Sequence, residues 1–87
     1  MPNDSFTLVI ARSFEKDLRK LSRPDQIRVR QALPRIQADP YKGRKMQNAQ
    51  IGQYRWRVGD LRIRYDIEGK EVQILRVLKR EDVYRRF

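Results

Sequence analysis

The chain has 87 residues, with 21 Lys and Arg against 11 Asp and Glu, giving a formal net charge of +10. That length builds one thin hydrophobic core and leaves no room for a second domain. There is no cysteine and no histidine, which removes disulfides, thiolate chemistry, histidine acid–base work and the common soft metal sites from this chain. No apolar run approaches membrane-spanning length, and MPNDSFTLVI lacks the basic start and long apolar stretch of a signal peptide. The expected location is therefore cytoplasmic, away from membranes. The sequence pI of about 10.7 lies above the value of about 9 that marks nucleic-acid-binding domains. Self-repulsion at this charge opposes compaction, and an anionic partner relieves it.

Residues 1–4 read as a loose end. In SFTLVI, Phe6, Leu8 and Ile10 alternate with Ser5, Thr7 and Val9, the pattern of a strand with one buried face. ARSFEKDLRKLS changes period: Phe14, Leu18 and Leu21 fall at i, i+4 and i+7, a helical stripe. Ser22 then supplies an N-cap, with Asp25 three residues on and Pro24 tolerated in the first turn. Ile27, Val29, Leu33 and Ile36 make the apolar stripe of this second helix, and Pro34 is expected to kink or end it. ADPYKGRKMQNAQIGQ reads as a long basic connection.

Three strands follow, at about 53–58, 60–67 and 71–78, joined at Gly59-Asp60 and Gly69-Lys70. The tail KREDVYRRF is a last helical turn or an extended end. Strand, helix, helix and three-stranded meander imply an α+β domain over 1–87, with both helices on one face of a small, mainly antiparallel sheet.

The stretch YRWRVGDLRIRY carries the chemistry. A two-residue turn at Gly59-Asp60 sets Val58 against Leu61, Arg57 against Arg62, Trp56 against Ile63, Arg55 against Arg64 and Tyr54 against Tyr65. Tyr54, Trp56, Val58, Leu61, Ile63 and Tyr65 then share an apolar face. The other face holds Arg55, Arg57, Arg62 and Arg64. Facing like charges destabilise a sheet, whereas guanidinium forks match phosphate oxygens in bidentate geometry. A solvated face partly neutralised by Asp66, Glu68 and Glu71 is the alternative.

Alternation along the third strand puts Gln73, Leu75, Val77 and Lys79 on the arginine side and Val72, Ile74 and Leu78 in the core. It leaves Arg76 on the buried side, where it needs a twist or a carboxylate partner. Tyr84 sits in a charged tail, free to stack on a base or to pin the tail to the sheet. DIEGK (Asp66, Glu68, Lys70) imitates the carboxylate–x–Lys element of metal-dependent nucleases, but it spans a hairpin turn. No metal or other cofactor is expected.

The element order, YRWRVGDLRIRYDI and the ending VLKREDVYRRF together resemble the RelE/ParE superfamily of bacterial type II toxin–antitoxin toxins, most closely its RelE-type branch over 52–87. The resemblance implies a RelE-like microbial RNase fold and a ribosome-dependent endoribonuclease that cuts mRNA without a metal. RNA's own 2′-hydroxyl would attack the adjacent phosphate, and a cognate antitoxin would silence the toxin. By the same resemblance Arg62, Arg80 and Tyr84 are the catalytic candidates. Arg55, Arg57, Arg64, Lys45 and Lys79 are the substrate-binding ones. Relatives can carry lysines where this chain has Arg55 and Arg57, so the general base falls to Lys79, Lys45 or Tyr84. Two other readings stay open: a ParE-like, non-catalytic inhibitor of DNA gyrase, and a basic RNA- or ribosome-binding module without activity.

Overall fold

The period change at Ala11 is visible in the structure as a switch from sheet to helix. A computed structural model describes residues 6–47 and 51–79. Strand β1 (Thr7–Ile10) leads into helices α1 (Arg12–Arg19) and α2 (Arg23–Ala38), then a 3₁₀ turn at Pro40–Lys42. Strands β2 (Arg44–Lys45), β3 (Tyr54–Val58), β4 (Leu61–Glu68) and β5 (Glu71–Lys79) complete one sheet, in the order β1-β5-β4-β3-β2. β1 runs parallel to β5, and the other pairs are antiparallel. The α+β layering expected from the element order is the one found. Met1–Asp4 and the tail after Lys79 lie outside the described residues. Among the described residues no helix is long and apolar enough to cross a membrane.

Each helix begins and packs for local reasons. Ser22 Oγ accepts from the Asp25 backbone N–H at 3.3 Å, and Pro24 occupies the first turn of α2. Val29, Ala32 and Ile36 are buried, with Leu33 beside them. Ile27 departs from its expected place and is 48% exposed. It precedes Val29 by two residues, about 200° around the helix axis, so it faces away. Pro34 does not end α2, which continues to Ala38. Arg30 and Pro34 both lie on the exposed face, where water can hydrate the Arg30 carbonyl that Pro34 leaves without its helical donor.

The expected long connection contains a fifth strand. Arg44 and Lys45 pair with Arg55 and Tyr54, and the Met46 N–H donates to the Gln53 carbonyl at 2.6 Å. Two residues are too few to show alternation, so the sequence carried no periodic signal for β2.

Strand β5 corrects a second expectation. Its register with β4 shifts between Arg64 and Tyr65: Arg64 opposes Arg76, but Tyr65 opposes Ile74, leaving Leu75 as an extra residue. A bulge of this kind inverts the parity of everything beyond it. Val77 therefore enters the core at 3% exposure, and Leu78 moves to the arginine side opposite Arg62. Arg76 has the carboxylate partner it needed. Its Nε and Nη2 donate to Asp17 of α1 at 2.6 and 3.0 Å.

Asp17 has a second task. β1 stops at Ile10, and α1 satisfies the β5 edge beyond it: Ser13 Oγ donates to the Leu75 carbonyl at 2.7 Å, and Asp17 Oδ2 accepts from the Val77 N–H at 3.1 Å. Asp17→Ala should cost about 2–3 kcal/mol, because it deletes a bidentate pair and leaves a strand N–H unmet. Urea denaturation should show the lowered midpoint with an unchanged slope.

The core closes with an aromatic series. Phe6 meets Tyr41 edge-on, Tyr41 meets Tyr54 edge-on, and Tyr54 stacks on Tyr65 at 5.6 Å. The fully buried Tyr65 hydroxyl donates to the Pro40 carbonyl at 2.7 Å and accepts from the Gly43 backbone. A Cβ on Gly43 would fall on that hydroxyl, so the close approach requires glycine. Burial first, and then Tyr54, push the Tyr65 pKa above its ordinary value, against the Gly43 bond.

A raised folded-state pKa means that the unfolded chain gives up this proton first as pH rises. The stabilisation is complete below the ordinary tyrosine value of about 10 and declines above it. Tyr65→Phe should cost about 1 kcal/mol at pH 8. Above pH 10 the wild type should lose stability relative to the variant, by up to ~1.4 kcal/mol per pH unit. Urea titrations of both proteins at pH 8, 10 and 11 check this.

Candidate nucleic-acid interface

The β3–β4 hairpin has the register its turn dictates. Val58 opposes Leu61, Arg57 opposes Arg62, Trp56 opposes Ile63, Arg55 opposes Arg64 and Tyr54 opposes Tyr65. Gly59 takes a positive φ of 61° at the turn, the conformation a tight hairpin demands. Helices cover the Leu61, Ile63 and Tyr65 face, so the arginines share the opposite one.

The neighbouring strands extend this face into two rows. β2 adds Arg44 opposite Arg55, and β5 adds Arg76 opposite Arg64. One row therefore reads Arg44, Arg55, Arg64, Arg76 across four strands. The second reads Arg57, Arg62, Leu78. Arg44 was missing from the sequence-derived candidates because β2 itself was missing. Its signal was the basic pair Arg44-Lys45 just after Gly43.

Exposure declines towards the middle of the sheet. Arg44 and Arg57 are exposed, Arg55 is half-buried, and Arg62 and Arg64 retain 4% and 9% of their surface. Arg62 Nη1 donates to the Leu61 and Gly59 carbonyls at 3.2 and 3.4 Å, which fixes the guanidinium over the turn. Arg64 Nη2 donates to the Gly52 carbonyl at 2.9 Å, and its buried Nε has no hydrogen-bond partner. Burial, followed by Arg55, lowers the Arg64 pKa from its ordinary value, against the pull of Asp66. The group remains cationic at neutral pH.

Two of the three acids named for quenching this face make hydrogen bonds to neutral donors, and Asp66 also pulls electrostatically on Arg64. Asp66 Oδ1 accepts from the Gln53 N–H at 2.6 Å, and Glu68 accepts from Gln73 at 3.2 Å. Among the described residues, Arg44, Arg55, Arg57 and Arg64 form no ion pair. Among the described residues, Arg76 is the member of the long row paired with a carboxylate, that of Asp17 on α1.

The structure brings Arg55, Arg57, Arg62 and Arg64 together. It does not add Lys45 or Lys79 to them: Lys45 registers with Tyr54 and Lys79 with Leu61, both on the apolar side, and both lysines are exposed at strand ends. The bulge moved Lys79 from its expected face. Arg80 and Tyr84 lie outside the described residues. A cavity of about 640 Å³ at the β3 edge is lined by Arg35, Lys42, Arg44, Arg55 and Arg57 with Trp56 and one acid, Asp39, so positive charge predominates around that edge.

Fold and site together define a small α+β domain with a concentrated guanidinium face. The family model for the ParE toxin of type II toxin–antitoxin systems (parDE) matches residues 8–84, and the chain belongs to that family. Its fold is similar to that in the RelBE2 toxin–antitoxin complex of Mycobacterium tuberculosis, at 25% identity and TM-score 0.78, covering 87% of this chain and 99% of the other. The RelB–RelE complex of Methanococcus jannaschii gives 26% identity and TM-score 0.70, with 91% and 98% covered. The chromosomal ParDE system of P. aeruginosa shares the fold alone, at 18% identity and TM-score 0.64, with 88% and 98% covered. No curated protein matches the chain.

Proposed function

We propose that this toxin is a ribosome-dependent endoribonuclease that cleaves mRNA and is held inactive by a cognate antitoxin. The observation carrying the reading is the pair of arginine rows without carboxylate partners at Arg44, Arg55, Arg57 and Arg64. A surface evolved for solubility alone gains nothing from opposing like charges at the centre of a sheet.

In this reading Arg57 grips the scissile phosphate, with Arg62 fixed opposite it by the turn carbonyls. Attack by the 2′-hydroxyl places a second negative charge on the phosphate oxygens. Fixed guanidiniums favour that charge over the ground state, because they need no reorganisation as it develops. Arginine is a poor proton acceptor, so proton transfer falls to Lys45, Lys79 or Tyr84, and Arg80 adds fixed positive charge. The 2′-oxygen bonds to phosphorus, the 5′-oxygen leaves with a proton, and the products are a 2′,3′-cyclic phosphate and a 5′-hydroxyl.

The antitoxin complexes containing the structurally similar toxins support such a partner here. An acidic segment suits the charge of +10.

A second reading rests on the ParE family match: a non-catalytic inhibitor of DNA gyrase. Purified toxin on mRNA-programmed ribosomes, with transcript ends mapped, separates the two. Cleavage leaving cyclic phosphate ends supports the first. Intact transcripts together with blocked gyrase supercoiling would establish the second.

A further inference from the structure

We propose that Arg44, Arg55 and Arg64 form a second phosphate subsite beside the Arg57–Arg62 pair, with Arg44 and Arg55 touching the phosphate and Arg64 reinforcing them from beneath. The subsite deepens the endoribonuclease reading and rests on it. Its ligand is the phosphodiester next to the scissile one on the same RNA strand.

Spacing is the first argument. Arg55 and Arg57 are two residues apart on β3, which separates the rows by about 6.6 Å. Neighbouring phosphates along an extended nucleic-acid strand have a similar separation. A strand lying along β3 therefore presents one phosphate to each row.

The second argument is the placement of charge within the long row. Arg76 at the β5 end is bonded through two nitrogens to Asp17, so its charge is offset. At the other end Arg44 is exposed and Arg55 half-buried, and neither has an ion-pair partner among the described residues. Positive potential in the row is therefore weighted towards β2 and β3, where a ligand has access.

Arg64 is the third argument. It is 9% exposed, its Nε is buried without a hydrogen bond, and its one described bond goes to a neutral carbonyl, that of Gly52. A carbonyl orients a guanidinium without cancelling its charge. Burying an uncancelled charge is costly, and it is stabilised when an anion settles on Arg44 and Arg55 above it. The competing role for Arg64 is a clip that merely holds the Gly52 backbone to the sheet. The two roles predict opposite effects on stability. Removing an uncompensated buried charge should leave the fold as stable or more so; removing a clip should weaken it.

The test uses the full chain as wild type, Arg57→Ala, Arg64→Met and Arg64→Lys. The probe is a 2′-O-methyl octaribonucleotide, which cannot be cleaved, with one neutral methylphosphonate moved through each linkage in turn. In the wild type, two adjacent linkages should be the ones where neutralisation weakens binding. Arg57→Ala should make binding indifferent at one of them, and Arg64→Met at its neighbour. Arg64→Met should weaken binding of the unmodified probe about tenfold with no fall in melting temperature, and Arg64→Lys should restore most of the affinity. Unchanged affinity with a lower melting temperature would make Arg64 a clip and overturn the proposal, as would equal losses at every linkage. If the adjacent pair is found but wild type leaves programmed ribosomes uncut, the enzymatic reading falls while the two-phosphate site stands.

Discussion

Arg62→Ala should reduce mRNA cleavage on programmed ribosomes by about 10²–10³-fold, the loss typical of removing one preorganised donor at a developing oxyanion. The expectation follows from how Arg62 is held. Bonds to Leu61 and Gly59 carbonyls set its guanidinium over the turn, opposite Arg57 and beside Leu78. Its position is therefore fixed before substrate arrives. Alanine also removes a side chain that is only 4% exposed, so a fall in rate must be separated from a fall in folding. The loss should lie in kcat, with ribosome binding reduced much less, because binding draws on the whole basic face. Thermal melting of the variant gives the folded fraction. Undiminished cleavage by a folded Arg62→Ala protein would sink the assignment.

The hairpin at the centre of this site was legible in the sequence because one turn fixed five residue pairs at once. Gly59-Asp60 set the register, and strict alternation then decided which side chains shared a face. The same logic failed one strand later. A single extra residue at Leu75 inverted the parity of Val77, Leu78 and Lys79, and nothing in ILRVLK distinguishes a bulge from a regular strand. Arg76 was the only trace, a charge on a face that should have been buried. Its partner Asp17 lies 59 residues away, on a helix whose own period explains Phe14 and Leu18 without it. β2 escaped for a simpler reason. Two residues paired at a sheet edge are defined by their neighbour, Arg55 and Tyr54, and by no pattern of their own.

Gly52→Ala should be a damaging small change beside the site. Gly52 has a φ of +67°, and a Cβ there would lie 2.8 Å from the Tyr65 nitrogen, 2.9 Å from Arg64 Cβ and 3.0 Å from the Arg64 carbonyl carbon. Two of those three atoms are backbone in β4, which cannot yield without disturbing the bulge beside it. Left-handed geometry costs alanine about 1 kcal/mol, and overpacking adds about 1–3 kcal/mol. The melting temperature should fall by about 15 °C for a chain of this size.

Function should suffer with it. The Gly52 carbonyl that orients Arg64 would shift, and so would the adjacent Gln53 N–H bonded to Asp66. Gly69→Ala is the control. Gly69 has nearly the same φ, +61°, but an added Cβ meets nothing within 4 Å. The dihedral penalty is common to both variants, so the difference in their melting temperatures measures the crowding of Gly52 against β4. Equal losses in the two would mean that Gly52 is needed for its backbone conformation alone and that its carbonyl can move without cost to Arg64.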